Sequence, residues 1–280
     1  MPYRECNLHF ALEHIIKYLS SYFCATPNSD DGSVSSAFTY SGGTYTSLAG
    51  PTGSISTNAV GISDTGVIVG SYATSLNSPV FGFIYEGGNY ATFNVSGAIS
   101  TTLRGISPDG RYLSGYFEDA SDRYGFLFDR VTSTTFTIGS PMIVQGINSH
   151  AVLVGSFQGR RGTPFTYDIA TSTRADYGPA GDRYRDINDD GLIAGWRGAV
   201  SVGAVAIVGS PGSFEEFTVV GASSTFAEGI NNAGWVVGNY DVANLTTHAF
   251  IARPVPEPES WALMFAGLVA VGAVARRRRA

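Results

Sequence analysis

The sequence predicts an all-β fold made of repeated four-stranded units and followed by a single C-terminal hydrophobic helix. Three observations support this. Glycine occurs 35 times, only 14% of residues are charged, and aromatic residues are abundant, with 15 Tyr and 17 Phe. Such a composition is typical of short strands joined by tight turns. Similar segments also recur along the chain, and a long uncharged apolar segment stands near its end.

Five segments share a Gly-Ile or Asp-Ile pair, a polar turn and an apolar run. Successive copies begin 44, 41, 40 and 43 residues apart. Their first residues are Gly61, Gly105, Gly146, Asp186 and Gly229. Similarity at a fixed period, here about 42 residues, indicates a repeat architecture.

Each repeat predicts four strands in the same order. The Gly-Ile pair ends a first strand, and turns such as "SDTG" and "NDDG" suit a close hairpin because Asp, Asn and Gly favour turn conformations. The apolar run at 67–69 predicts a second strand, "FGFIY" at 81–85 a third and "YATFNV" at 90–95 a fourth. Four strands in about 42 residues match one blade of a β-propeller.

The number of blades is five or six. "SAFTY" at 36–40 is a further copy of the third strand, so residues 1–35 are expected to be either irregular or a degraded first blade. The last repeat ends after "THAFI" at 247–251 without a fourth strand. We expect "TYTSL" at 44–48 to complete that blade, which assigns residues 36–253 to the propeller.

The repeat resembles the HAF-type repeats of bacterial extracellular proteins. "GINNAGWVVGNY" at 229–240 and "THAFI" at 247–251 carry the resemblance most fully, whereas "TPFTY" at 163–167 lacks the histidine. The resemblance covers roughly residues 36–252. It implies an extracellular protein without a defined biochemical role.

The C-terminal segment, residues 254–280, has three parts. Pro256, Glu257 and Pro258 precede 15 uncharged residues at 261–275, and the cluster Arg276, Arg277, Arg278 and Arg279 follows. A helix of that length rises about 22 Å, less than the ~30 Å hydrocarbon core of a membrane. We therefore expect a marginal membrane span whose basic end stays at the cytoplasmic face.

This order of parts resembles the PEP-CTERM sorting signal of bacteria, which also carries the label ice-binding protein C-terminal domain. The resemblance implies recognition by an exosortase, cleavage near the Pro-Glu-Pro triplet, and a setting among exopolysaccharide and biofilm matrix. Ice binding is not expected, because the repeats contain no regular Thr-x-Thr array.

The N-terminal region does not read as a secretory signal. Charged and histidine residues interrupt residues 1–23, whereas a signal needs 7–15 consecutive apolar residues. We expect the natural start of the protein to differ from this one. Cys6 and Cys24 either pair as a disulfide or remain free thiols.

One polar position recurs directly after each Gly-Ile pair, and it either caps the turn or forms a polar ring in the channel. Capping is favoured, because Ser and Asn side chains readily accept bonds from nearby backbone N–H groups. The residues are Ser63, Ser107, Asn148, Asn188 and Asn231. Acidic turn residues such as Asp109 are expected to form turns rather than bind calcium, and no cofactor is expected.

Two functions remain as hypotheses. The chain lacks HExxH, GxSxG, Walker and CxxC motifs, and without the tail its net charge is −8, which disfavours nucleic acid. We favour a non-catalytic exported protein, anchored in the inner membrane until processing and then located at the cell surface or in the matrix, which binds polysaccharide or another protein. The alternative is a propeller hydrolase, a glycosidase or lactonase, using Asp186, Asp189 or Glu228 in the channel.

Overall fold

The computed structural model describes residues 3–6, 37–41, 44–157, 162–178, 181–198, 203–243 and 247–254. These residues form five four-stranded sheets and one two-stranded sheet. The prediction of an all-β propeller with four-stranded blades is confirmed, and the number of complete blades is five. The predicted helix at 261–275 and the residues around it lie outside the described part. Within that part, no helix has the length and apolar character needed to cross a membrane.

The strands follow the repeat in chain order. They are β1 (Tyr3–Cys6), β2 (Ala37–Ser41), β3 (Thr44–Leu48), β4 (Ser56–Ile62), β5 (Ile68–Ala73), β6 (Phe81–Glu86), β7 (Asn89–Phe93), β8 (Ser100–Ile106), β9 (Tyr112–Glu118), β10 (Arg123–Asp129), β11 (Thr134–Gly139), β12 (Met142–Ile147), β13 (Val152–Phe157), β14 (Pro164–Asp168), β15 (Thr173–Asp176), β16 (Arg183–Ile187), β17 (Ile193–Arg197), β18 (Val205–Ser210), β19 (Ser213–Phe217), β20 (Ser224–Ile230), β21 (Val236–Asp241) and β22 (Thr247–Pro254). Blades 1 to 4 are β4–β7, β8–β11, β12–β15 and β16–β19, and blade 5 contains β20–β22 and β1.

The N-terminal strand completes the last blade. β1 runs antiparallel to β22, with Tyr3 opposite Pro254 and Cys6 opposite Ile251. The prediction that residues 44–48 would fill this place is therefore wrong. β3 pairs with β2 instead, because the two strands are separated by only two residues, both glycine, and a short connection favours a local hairpin.

The β2–β3 hairpin belongs beside blade 1. Leu48 at the end of β3 is buried, and it packs with Ala59, Ile68 and Phe83 of that blade. Its strands correspond in sequence to the third and fourth strands of a repeat, as the copy of the aromatic strand at 36–40 predicts. The hairpin therefore adds the outer half of a repeat to the five complete blades.

Strand register explains why four of the five repeats contain both a "GSY"-like and a "GFIY"-like segment. In these four blades the glycine of the second strand lies opposite a phenylalanine of the third, as Gly70 lies opposite Phe83, whereas blade 4 has Ile207 opposite Gly195. A Cβ atom at Gly70 would overlap the carbonyl oxygen of Asn58 and come within 2.8 Å of the Phe83 ring. Only glycine leaves room for both the ring and the first strand.

Neighbouring blades are held together by buried apolar side chains. Val69 of blade 1 packs with Leu103 and Phe126 of blade 2 in one such cluster. Comparable clusters join blades 2 and 3, blades 3 and 4, and blades 4 and 5. Full burial of a Val, Leu, Ile or Phe side chain contributes roughly 1.5–3 kcal/mol, so these contacts are the main stabilisation of the blade array.

Candidate functional site: the central channel

The first strand of every blade has a β-bulge at the same repeat position. The strand register shifts by one residue there, and the extra residue is partly exposed although the residue before it is buried. The five extra residues are Val60, Arg104, Gln145, Arg185 and Glu228. First strands surround the axis of a propeller, and a bulge redirects a side chain, so these five positions line the channel.

Arg185 joins three of the first strands. Its Nε donates a hydrogen bond to Oε2 of Glu228 at 2.6 Å, and its Nη1 donates to Oε1 of Gln145 at 2.9 Å. The guanidinium also lies 5.3 Å from the centre of the Trp196 ring. Side chains from blades 3, 4 and 5 thus meet in the channel, and the positive charge of Arg185 is balanced by Glu228.

Arg104 has a different environment. Its guanidinium lies 5.7 Å from the centre of the Tyr116 ring, and among the described residues it forms no ion pair. Its Nε is buried and has no hydrogen-bond partner there. Burial alone would raise the pKa of Tyr116, but a hydrogen bond with Thr102, the charge of Arg104 and a hydrogen bond from it, and the charge of Arg123 lower it. Among the described residues, no carboxylate therefore balances the positive charge on the blade 2 side of the channel.

The recurring Ser and Asn residues cap the turns, as the favoured prediction stated. Oδ1 of Asn188 accepts a hydrogen bond from the backbone N–H of Leu192 at 2.9 Å, and Oγ of Ser63 accepts one from Val67 at 3.1 Å. The asparagine also connects blades, because Nδ2 of Asn188 donates to the carbonyl of Asn231 at 3.0 Å. Asn148 donates to the carbonyl of Asn188 in the same way. Serine is too short to form this second bond.

Acidic turn residues lie together at the end of the channel where the first and second strands connect. Burial and the negative charges of Asp189 and Asp109 raise the pKa of Asp64. Asp109 bonds locally, accepting from Ser107 and from the backbone of Arg111. In the described ranges, no three His, Cys, Asp or Glu side chains are arranged to hold a metal ion.

Of the carboxylates proposed for hydrolysis, Asp186 and Asp189 connect blades. Asp186 accepts hydrogen bonds from the backbone N–H of Ile187 at 2.9 Å and of Ile230 at 3.0 Å, and burial raises its pKa to about 7. Asp189 accepts from the backbone of Ser149 and from the side chain of Asn232. Glu228, the third, lies in the channel.

Sequence reasoning missed the other polar channel residues. The sequence did contain a sign of these channel residues. The residue before each Gly-Ile or Asp-Ile pair varies between apolar, polar and charged types, while the positions on either side of it keep their character from repeat to repeat. A position that varies within a repeating strand is free of the packing that fixes the others. The sorting residues Pro256, Glu257, Pro258 and Arg276–Arg279 lie outside the described part, as does Cys24.

Comparison with known proteins bears on the tail and on the fold separately. Residues 254–279 match the model of the PEP-CTERM protein-sorting motif. No curated protein matches the chain.

The fold is similar to several solved structures. TolB from Agrobacterium tumefaciens gives a TM-score of 0.55 at 13% identity, with 70% of this chain and 76% of that chain covered. TolB from Acinetobacter baumannii gives 0.55 at 10% identity, with 85% and 64% covered. A chain of a nidogen/laminin complex gives 0.50 at 9% identity, with 78% and 89% covered. At these identities the similarity concerns the fold alone.

Proposed function

We propose that the chain is a non-catalytic exported protein whose propeller is delivered to the cell surface or extracellular matrix by a C-terminal signal that an exosortase processes. The observation that carries this proposal is the junction between the two parts. The match to the sorting motif begins at residue 254, and Pro254 is the last residue of β22. We assign residues 36–253 to the propeller, together with the β1 strand, and residues 254–280 to sorting and anchoring.

Within the tail, each part has a separate role. Pro256, Glu257 and Pro258 are recognised by the exosortase, and the apolar segment at 261–275 holds the precursor in the inner membrane. Arg276–Arg279 stop transfer, because an arginine at the centre of a membrane helix costs about 2.5–3.5 kcal/mol. The propeller then lies outside the inner membrane, with the arginines at the cytoplasmic face.

The junction also sets the orientation of the precursor. A Cβ atom at Gly234 would lie 3.1 Å from Cγ of Pro254, so the chain leaves β22 beside the turn between β20 and β21. The seven Cα–Cα steps from Pro254 to Trp261 can span at most about 25 Å. The end of the propeller that carries the acidic turns therefore faces the membrane before processing, and the opposite end faces away.

A binding role fits the channel better than hydrolysis does. Asp186 and Asp189 are occupied in hydrogen bonds between blades, and Glu228 is paired with Arg185. We expect no turnover of glycosides, lactones or esters by the purified chain, and turnover of any of them would support the hydrolase instead. The resemblance of the tail to the PEP-CTERM signal implies a setting among exopolysaccharide and biofilm matrix, and it supports association with exopolysaccharide or with another surface protein.

Tail variants test the sorting proposal. The chain is expressed behind a working signal peptide in a host that has an exosortase, and the mass and location of each variant are followed. Replacement of Arg276–Arg279 by Ser should release unprocessed protein, whereas Glu257→Gln should leave it held in the membrane and uncleaved. Glu259→Gln is the matched control, since it removes the same charge just outside the Pro-Glu-Pro triplet. Retention and trimming of the arginine variant as in the parent would disprove the stop-transfer role.

A further inference from the structure

Arg104 is the channel arginine that has no carboxylate partner among the described residues. The other channel arginine, Arg185, has Glu228 as its counter-ion at 2.6 Å. Beside Arg104 in the ring of bulge positions stand Val60 and Gln145, neither of which carries a charge. A buried guanidinium nitrogen without a partner is costly, and a protein gains nothing for its stability by keeping one there.

The donors around Arg104 are preorganised. Tyr116 lies against the guanidinium and holds it in place. Oε1 of Gln145 accepts the hydrogen bond from Arg185, which fixes the amide and leaves its two N–H bonds as donors. Among the described residues these N–H bonds meet no acceptor. A planar guanidinium fork matches the two oxygens of a carboxylate, and a neighbouring amide adds a further donor.

The charges at the two ends of the channel determine from which end an anion enters. Asp64, Asp109 and Asp189 form an acidic rim at the end of the channel nearest the turns. Tyr116 lies opposite Thr102 in the strand register, on the side of Arg104 away from those turns. An anion is therefore repelled at the acidic end and attracted from the opposite end. That end faces away from the membrane in the orientation proposed above.

We infer that the blade 2 side of the channel binds the carboxylate of an acidic saccharide, with the Arg104 guanidinium and the Gln145 amide as its donors. Aromatic rings accompany both channel arginines, Tyr116 beside Arg104 and Trp196 beside Arg185. Such rings offer apolar faces next to the charged group, as a sugar ring bearing a carboxylate requires. The inference rests on the proposed role of the propeller as a binding platform and is independent of tail processing.

Calorimetric titration of the full-length chain in a mild detergent tests the inference with three probes: glucuronate, acetate and glucose. We expect glucuronate to bind, acetate to bind more weakly and glucose not to bind. Arg104→Gln should weaken glucuronate binding by about tenfold or more, since the loss of one charged hydrogen bond is of that size. Arg174→Gln is the control, because it removes the same charge from an exposed pair with Asp176.

A second variant keeps the test decisive if Arg104→Gln does not fold. Gln145→Glu supplies a competing carboxylate within the channel and should also abolish glucuronate binding. Unchanged affinity in both variants, equal binding of glucose, or no binding of glucuronate at millimolar concentration would each overturn the inference. Acetate binding as tight as that of glucuronate would overturn the saccharide part and retain the carboxylate part. Because the sorting assay measures retention and trimming, a failure here is distinguishable from a failure of the proposed function.

Discussion

Asn188→Ala should be among the most damaging substitutions of a polar side chain in this protein. The side chain is fully buried and makes two bonds with different purposes. Oδ1 accepts from the backbone N–H of Leu192 at 2.9 Å and closes the turn of blade 4. Nδ2 donates to the carbonyl of Asn231 at 3.0 Å and connects blade 4 to blade 5. Alanine removes both bonds: the N–H of Leu192 loses its acceptor, and the carbonyl of Asn231 keeps only the hydrogen bond from the backbone N–H of Gly234.

The expected loss follows from these two bonds. A buried donor left without a partner costs about 1–3 kcal/mol and the loss of a second bond to a carbonyl about 0.5–1.5 kcal/mol, so Asn188→Ala should lower the free energy of unfolding by about 1.5–4.5 kcal/mol. Asn188→Ser should cost about 0.5–1.5 kcal/mol, because serine retains the turn cap and loses only the connection between blades. Blades 1 and 2 carry serine at this position, and Ser63 caps its turn through Val67.

Urea unfolding of the full-length chain in mild detergent measures both effects, with a shift of the midpoint at constant slope as the expected signature. Asn89→Ala is the control, because Asn89 is exposed and its amide bonds only to the carbonyl of Gly87. The control should change stability by less than about 0.5 kcal/mol. If Asn188→Ala is no worse than Asn188→Ser, the turn cap contributes nothing. If Asn188→Ser is matched by the control, the connection between blades contributes nothing. Either result refutes the reasoning.

Three further predictions concern packing and ionisation. Gly70→Ala should lower the free energy of unfolding by about 3 kcal/mol, because the new Cβ overlaps a backbone carbonyl of the first strand; an unchanged urea midpoint would contradict this. Hydrogen bonds from Arg111 hold the pKa of Asp129 well below its usual range. The stability that the ionised Asp129 contributes is therefore present above about pH 4 and is lost in acid. The free energy of unfolding should decline less steeply toward low pH in Asp129→Asn than in the parent. Burial raises the pKa of Asp186 to about 7, so its ionised form costs stability at alkaline pH. Unfolding free energy should rise from about pH 8 to about pH 5 in the parent, and Asp186→Asn should show a flatter profile; equal slopes would show that Asp186 ionises as in the unfolded chain.

The sequence by itself determined the features that arise within one repeat. Period, strand order and turn positions are local properties, and so is the capping role of Asn188 and its equivalents, because the donor and acceptor lie within a few residues of each other. The glycine and aromatic segments were also visible as repeated motifs. They repeat because four of the five blades place a phenylalanine ring opposite the same glycine, as blade 1 places Phe83 opposite Gly70.

Only the tertiary structure decided which residues meet from different repeats. The pairing of Tyr3 with Pro254 joins the two ends of the propeller, and no local pattern in the first strand announces it. From the sequence alone, the carboxylate of Asp186 was a catalytic candidate. The sequence does not show that this carboxylate accepts hydrogen bonds from the backbone N–H groups of Ile187 and of Ile230, the second of which lies in the next blade. The sequence did not single out Arg104 for the same reason. Its charge matters because the neighbouring channel positions, 44 residues before it and 41 after it, carry no carboxylate.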